Sequence, residues 1–87
     1  VWLLDGLRTP LVDYCGAFAG VSPTDLGIKV AREVLARTGV PGDAVDSVLV
    51  GNVAPGDADH FFLPRHIGLY AGVPLEVPAL LVQRICG

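Results

Sequence analysis

Val77-Pro78-Ala79-Leu80-Leu81-Val82-Gln83-Arg84-Ile85-Cys86-Gly87 sets the architecture of this chain. From Ala79 to Ile85 the run is nearly continuous in apolar residues. Such runs belong to strands covered on both faces, the condition of strands in parallel sheets. This strand runs into a cysteine and a glycine, so a thiol stands at its end, before a small residue and a turn. That is a good place for a nucleophile. A helix beginning just beyond it would favour the thiolate through its amino-terminal dipole. The sequence stops at Gly87, which reads as a piece of something larger.

Upstream of this strand, Gly72-Val73-Pro74 is a helix stop signal. Phe61 to Ala71 before it reads as a helix, with Pro64 tolerable only in the first turn. Pro55 to Asp59 is a loop, and Ser47 to Val53 is a second apolar strand. Pro41 to Asp46 is a turn with room for one helical turn. Gly39-Val40-Pro41 repeats the stop signal and closes an earlier helix. That helix opens at Ser22-Pro23-Thr24-Asp25, where Ser22 can cap, Pro23 suits the first helical position and Asp25 lies three residues after the cap. Leu26, Val30, Val34 and Leu35 share one face of it, with Lys29, Arg32, Glu33 and Arg37 away from that face. Arg8 to Gly20 is irregular, and Val1 to Leu4 reads as a first buried strand. The order is strand, helix, strand, helix, strand. The expected fold is therefore α/β, a βαβαβ parallel sheet with right-handed connections. Ligands in open sheets of this class gather at the carboxyl ends of strands, where Cys86 lies.

The composition agrees with one small domain at most and sets limits on partners. The 87 residues are 52% hydrophobic and only 17% charged, with a net charge of −3. That is too apolar for a disordered chain. It is also apolar for a free-standing domain, since small domains bury only about 60% of the surface their unfolded chain exposes. The excess points to surfaces meant for another segment or subunit. The six basic residues are scattered, so nucleic acid and anionic membranes are not expected partners. No apolar run reaches the roughly 18 residues of a membrane span, and Val1-Trp2-Leu3-Leu4 meets Asp5 too soon to be a signal peptide. Secreted domains of this size carry more bridges than the two cysteines allow, so a Cys15–Cys86 disulfide is disfavoured and a reducing, cytoplasmic setting is expected.

Cys86 is the candidate nucleophile, because a thiolate attacks a carbonyl or thioester with little activation. Position alone also allows a buried cysteine acting as a small apolar residue. Cys15 reads as a loop thiol. Arg84, two residues before Cys86, shares its side of an extended strand. Stabilisation of the thiolate and pairing across an interface both remain open for it. His60 and His66 are six residues apart, a spacing that does not place them on one helical face, so no shared metal is expected. Asp57, Asp59 and His60 read as a solvated acidic loop rather than a cation site. No phosphate-binding glycine motif is present in the sequence. Arg8, Arg65 and Asn52 read as structural hydrogen-bond or ion-pair partners.

Several stretches of the sequence belong together: Arg8-Thr9-Pro10, Asp25-Leu26-Gly27 and Val45-Asp46 with Val48 and Gly51-Asn52-Val53. Pro64-Arg65-His66 with Leu69 and Ala71-Gly72-Val73-Pro74 continue the set, and Val77-Pro78-Ala79 and Arg84-Ile85-Cys86-Gly87 close it. In this order and spacing they resemble the thiolases, the acetyl-CoA acetyltransferases and 3-ketoacyl-CoA thiolases, and the resemblance covers nearly the whole chain. It implies that residues 1–87 are the first part of a thiolase-like N-terminal domain, the first three strands of one of two stacked βαβαβαββ copies. It implies an acyl-CoA C-acyltransferase in which Cys86 takes the acyl group as a thioester, and a second acyl-CoA condenses with it or the reverse cleavage occurs. No cofactor is implied beyond the CoA esters, which are substrates. Acyl-CoA and CoA are the implied small-molecule partners. The strand leading to Cys86 is implied to form the contact of a homodimer or homotetramer.

Two departures qualify the resemblance. Gln83 stands where the family has Asn before the basic residue. The activating histidine, second cysteine and CoA-binding loop of the family lie beyond Gly87, and neither His60 nor His66 matches that histidine's motif. The 87 residues alone are therefore expected to be inactive, for want of base and oxyanion partners. The competing readings are a small α/β interaction module or half-domain with an inert Cys86, and a ketosynthase-like relative.

Overall fold

The computed structural model describes residues 1–54 and 56–87; Pro55, with which the expected acidic loop opens, lies outside the described residues. Helix α1 spans Pro23–Thr38. Ser22 is extended, its hydroxyl accepts from the Asp25 amide at 3.0 Å, and Pro23 occupies the first turn. The helix stops at Gly39, whose φ of 71° is left-handed and whose N–H reaches the Leu35 carbonyl. Leu26, Val30, Val34 and Leu35 are half-buried, while Lys29, Arg32, Glu33 and Arg37 are exposed, as the helical spacing requires. A single 3-10 turn, Gly42–Ala44, fills the expected turn before strand β1, Val48–Gly51.

Another 3-10 turn, His60–Phe62, feeds helix α2, Leu63–Ala71. Pro64 falls in its first turn, where the missing N–H costs nothing. Gly72, at a φ of 98°, ends it. Strand β2, Ala79–Val82, then pairs with β1 in parallel, in the register Val48↔Ala79 to Gly51↔Val82. Arg65 ties the return segment to α2 by donating to the carbonyls of Leu75 and Val77, each at 3.0 Å.

The core is small because α2 serves two neighbours. Its Leu63 and Ile67, with Val73 and Val77 of the return segment, are the buried apolar residues, between 2% and 8% exposed. Gly27 lets α1 come down onto Ile67: a Cβ there would meet Ile67 Cγ1 at 2.9 Å and Cδ1 closer still. Gly68 lets α2 approach β1, 3.2 Å from a Cβ position to Val48 Cγ2. Val48, Val50, Ala79 and Leu81 are half-buried, whereas Leu49, Leu80 and Val82 are exposed, so one face of the sheet is bare in this chain. Among the described residues, no helix is long and apolar enough to cross a membrane.

The α/β class and the parallel sheet stand as expected, but among the described residues the sheet has two strands. Val1 to Leu4 does not form the expected first strand. It is exposed, with Trp2 at 90%, and no described strand offers it a ladder. An apolar run is a strand only when a neighbour takes its backbone groups. The other two strands are shorter than their apolar runs, Val48–Gly51 against Ser47–Val53 and Ala79–Val82 against Ala79–Ile85, because each ends where its ladder ends.

Candidate active site

Gly51 and Val82 are paired at the carboxyl ends of β1 and β2, so the next residues, Asn52 and Gln83, emerge side by side. The Asn52 N–H donates to the Val82 carbonyl at 3.0 Å and prolongs the ladder by one bond. Its side-chain amide nitrogen lies 3.3 Å from Nδ1 of His60. The Gln83 amide meets Nε2 of the same ring. His60 is 2% exposed, the most enclosed polar side chain here, and both its ring nitrogens have partners. It is therefore not part of the solvated loop expected from the sequence. The 3-10 turn turns it inward under the strand ends, with its ring edge-on to Phe61.

The rest of that loop is also partly engaged. One carboxylate oxygen of Asp57 accepts from the Asp59 amide at 3.1 Å, and the other accepts from the buried Thr24 hydroxyl at 3.3 Å. His66 takes different partners from His60: it lies 3.6 Å from the Asp59 carboxylate and stacks on Tyr70. Among the described residues, no three His, Cys, Asp or Glu side chains converge as a metal site.

Cys86 lies three residues beyond Gln83, exposed and with a free thiol. The alternation that was to place Arg84 on its side has lost its basis, because the ladder stops at Val82 and residues 83 to 87 are irregular. Cys15 is likewise exposed and free, at a φ of 58° in a tight turn, so the two cysteines are not joined. Arg65 and Asn52 are the structural partners that the sequence implied, whereas Arg8 donates to the carbonyl of its neighbour Thr9. A groove of about 390 Å³ runs between Leu7–Pro10 and α1, with Phe18, Lys29 and Arg37 on its walls; neither Cys86 nor His60 lines it.

The sequence reading missed the meeting of His60 with Gln83, which are 23 residues apart. A signal for it was present: Asn52 and Gln83 are the first polar residues after two apolar strand runs, and such residues become neighbours in a parallel pair.

A parallel βαβ unit with its polar side chains gathered at the carboxyl ends of its strands defines a class: the α/β proteins that carry their sites there. Comparison with known proteins narrows the class. The family model for the thiolase N-terminal domain matches residues 1–87. The mitochondrial 3-ketoacyl-CoA thiolase of Bos taurus is 40% identical over 87 residues, all of this chain and 22% of that protein. An acetyl-CoA acetyltransferase of Clostridioides difficile is 33% identical over the whole chain and 80% of its own length. The crystal structure of human mitochondrial 3-ketoacyl-CoA thiolase superposes with a TM-score of 0.89 at 38% identity, over 92% of this chain and 20% of that one. The chain belongs to the thiolase family. It spans about a fifth of the length of the 3-ketoacyl-CoA thiolases it matches, 22% in the bovine protein.

Proposed function

We propose that the full-length protein is an acyl-CoA C-acyltransferase and that Cys86 is its nucleophile. The observation that carries this is the family match over residues 1–87, whose last residues place a free, exposed thiol beyond the carboxyl end of β2. The Cys86 thiolate would attack the thioester carbonyl of an acyl-CoA. A new carbon–sulfur bond to Cys86 forms, the bond to CoA sulfur breaks, and CoA leaves as the thiol after taking a proton. The α-carbon of a second acyl-CoA then loses a proton to a base and attacks the carbonyl held on Cys86, and the bond to Cys86 sulfur breaks to free the thiolate; in the reverse sense Cys86 cleaves a 3-ketoacyl-CoA and its acyl group passes to CoA. Both directions use the CoA esters as substrates and require no further cofactor.

The 87 residues alone are proposed to be inactive. His60 has both ring nitrogens on amides, and no hydrogen bond joins either histidine to Cys86 among the described residues. Self-association as a homodimer or homotetramer through the strand leading to Cys86 is part of the same proposal, supported by the exposed apolar Ile85 beside Cys86. Two free thiols suit a reducing compartment, and we place the protein in the cytoplasm.

The test is intact mass after incubation of the full-length protein with acetyl-CoA. One acetyl group mapped to Cys86, absent in Cys86→Ala together with turnover, is the expected result. Turnover retained by a folded Cys86→Ala protein overturns the proposal.

A further inference from the structure

We infer that His60 is a positioning residue for Cys86, acting through the side chain of Gln83; this rests on the reading of Cys86 as nucleophile. The imidazole of His60 is 2% exposed and faces an amide on each side, Asn52 at Nδ1 and Gln83 at Nε2. A neutral imidazole has one N–H and one lone pair. Its two amide neighbours therefore cannot both present their NH2 groups. One donates to the bare nitrogen, and the other turns its carbonyl oxygen to the N–H. Amide nitrogen and oxygen exchange places by a half-turn of the side chain. The tautomer of His60 and the orientation of the Gln83 amide are thus fixed together.

The contacts close a ring. The Asn52 amide touches His60, His60 touches Gln83, Gln83 follows Val82 in the chain, and the Val82 carbonyl accepts from the Asn52 N–H. This ring clamps the carboxyl ends of β1 and β2. Gln83 is the last residue held by it. Arg84, Ile85 and Cys86 beyond are exposed and outside the ladder. Three residues reach at most about 10 Å, so the clamp anchors the chain from which the thiol is held and limits how far from the strand ends it can lie. The length of Gln83 matters in this arrangement: an asparagine at position 83, one methylene shorter, would fall short of the same imidazole.

Two substitutions of His60 separate positioning from bulk. The amide of His60→Gln reaches about as far as Nε2 and keeps a partner for Gln83. That of His60→Asn reaches about as far as Nδ1 and keeps a partner only for Asn52. Both remove the imidazole and differ in whether the Gln83 contact is kept. In the full-length protein, His60→Asn and Gln83→Ala should each slow acetylation of Cys86 by acetyl-CoA roughly tenfold, the scale of a misplacement below 1 Å. The double variant should be no slower than either alone, and His60→Gln should stay within about threefold of the wild type on the same scale. Melting temperature is measured in parallel. Unchanged rates in His60→Asn and Gln83→Ala, or equal losses in His60→Asn and His60→Gln that track the melting temperature, overturn the inference. If the wild type itself takes no acetyl group, the nucleophile reading has failed separately. Iodoacetamide alkylation of Cys86 then reads the positioning: rates displaced in His60→Asn and Gln83→Ala but not in His60→Gln support it, and four equal rates overturn it.

Discussion

Gly42 packs directly on the carbonyl of Gly72, so that a Cβ on Gly42 would lie 2.8 Å from the Gly72 carbonyl carbon and closer still to its oxygen. The two Gly-Val-Pro stops of the sequence therefore meet in space: the turn after α1 rests on the turn after α2. What faces Gly42 is backbone, which cannot swing aside as a side chain can. Gly42→Ala should cost about 1–3 kcal/mol, the range for overpacking. Gly20, with nothing within 4 Å of its Cβ position, is the control. Denaturant unfolding of the full-length protein should show a lowered midpoint for Gly42→Ala and not for Gly20→Ala; equal midpoints refute the close approach.

Ser22 supports the start of α1 through one side-chain bond, accepting from the Asp25 amide at 3.0 Å. The site is exposed, so the loss in Ser22→Ala should be about 1 kcal/mol. Ser22→Asp keeps an acceptor and adds a charge favourable to the helix amino terminus. It should match the wild type in thermal melting, and a Ser22→Ala protein that melts with the wild type would show that the cap contributes nothing.

Legibility in the sequence followed the range of the interaction. Helix α1 was legible because its signals are local: Ser22, Pro23 and Gly39 act within a few residues of where they stand. The centres of β1 and β2 were legible from their apolar runs, whereas their ends were not, since the ladder ends at Gly51 and Val82 by pairing rather than by composition. Val1 to Leu4 has the composition of a strand and lacks a neighbour to pair with among the described residues. The candidate site divides in the same way. The place of Cys86, beyond the end of an apolar strand run, was legible. His60 was not, because its meeting with Asn52 and Gln83 depends on the crossover that brings two distant strand ends together.

Arg65 holds the segment between α2 and β2 by one guanidinium nitrogen shared between the Leu75 and Val77 carbonyls. Arg65→Met keeps much of the stem and removes both bonds. The residue is only half-buried, so the expected cost is about 1–2 kcal/mol rather than the full value of two charge-assisted bonds. Hydrogen exchange should rise at the Val77 amide, which donates to the Pro74 carbonyl at 3.2 Å within that segment. Unchanged protection there would separate Arg65 from the ordering of the segment.

Leu49 and Leu80 are register partners on the bare face of the sheet, 65% and 58% exposed in this chain. Their strands are apolar on both faces, and α2 covers one. In the full-length protein a second layer is expected over the other. Leu80→Ala should then destabilise that protein by about 2–5 kcal/mol, the cost of truncating a buried leucine. If the face is open to water, the change stays within about 0.5 kcal/mol. The denaturation midpoint decides between these outcomes.

Cys15 and Cys86 provide an internal comparison for the nucleophile, since both are exposed and neither is bridged. Exposure alone would make them react alike with an alkylating agent. A thiol seated in a catalytic site has groups around it that assist its attack on an electrophile, and a loop thiol has none. In the full-length protein at neutral pH, iodoacetamide should therefore label Cys86 faster than Cys15 by roughly tenfold or more. Prior incubation with acetyl-CoA should protect Cys86 and leave Cys15 unchanged, because the acyl group occupies the same sulfur. Peptide mapping after timed quenching measures both rates at once. Equal labelling, with no protection, would make Cys86 an inert thiol and turn the apolar strand before it into an interface element rather than part of a catalytic site.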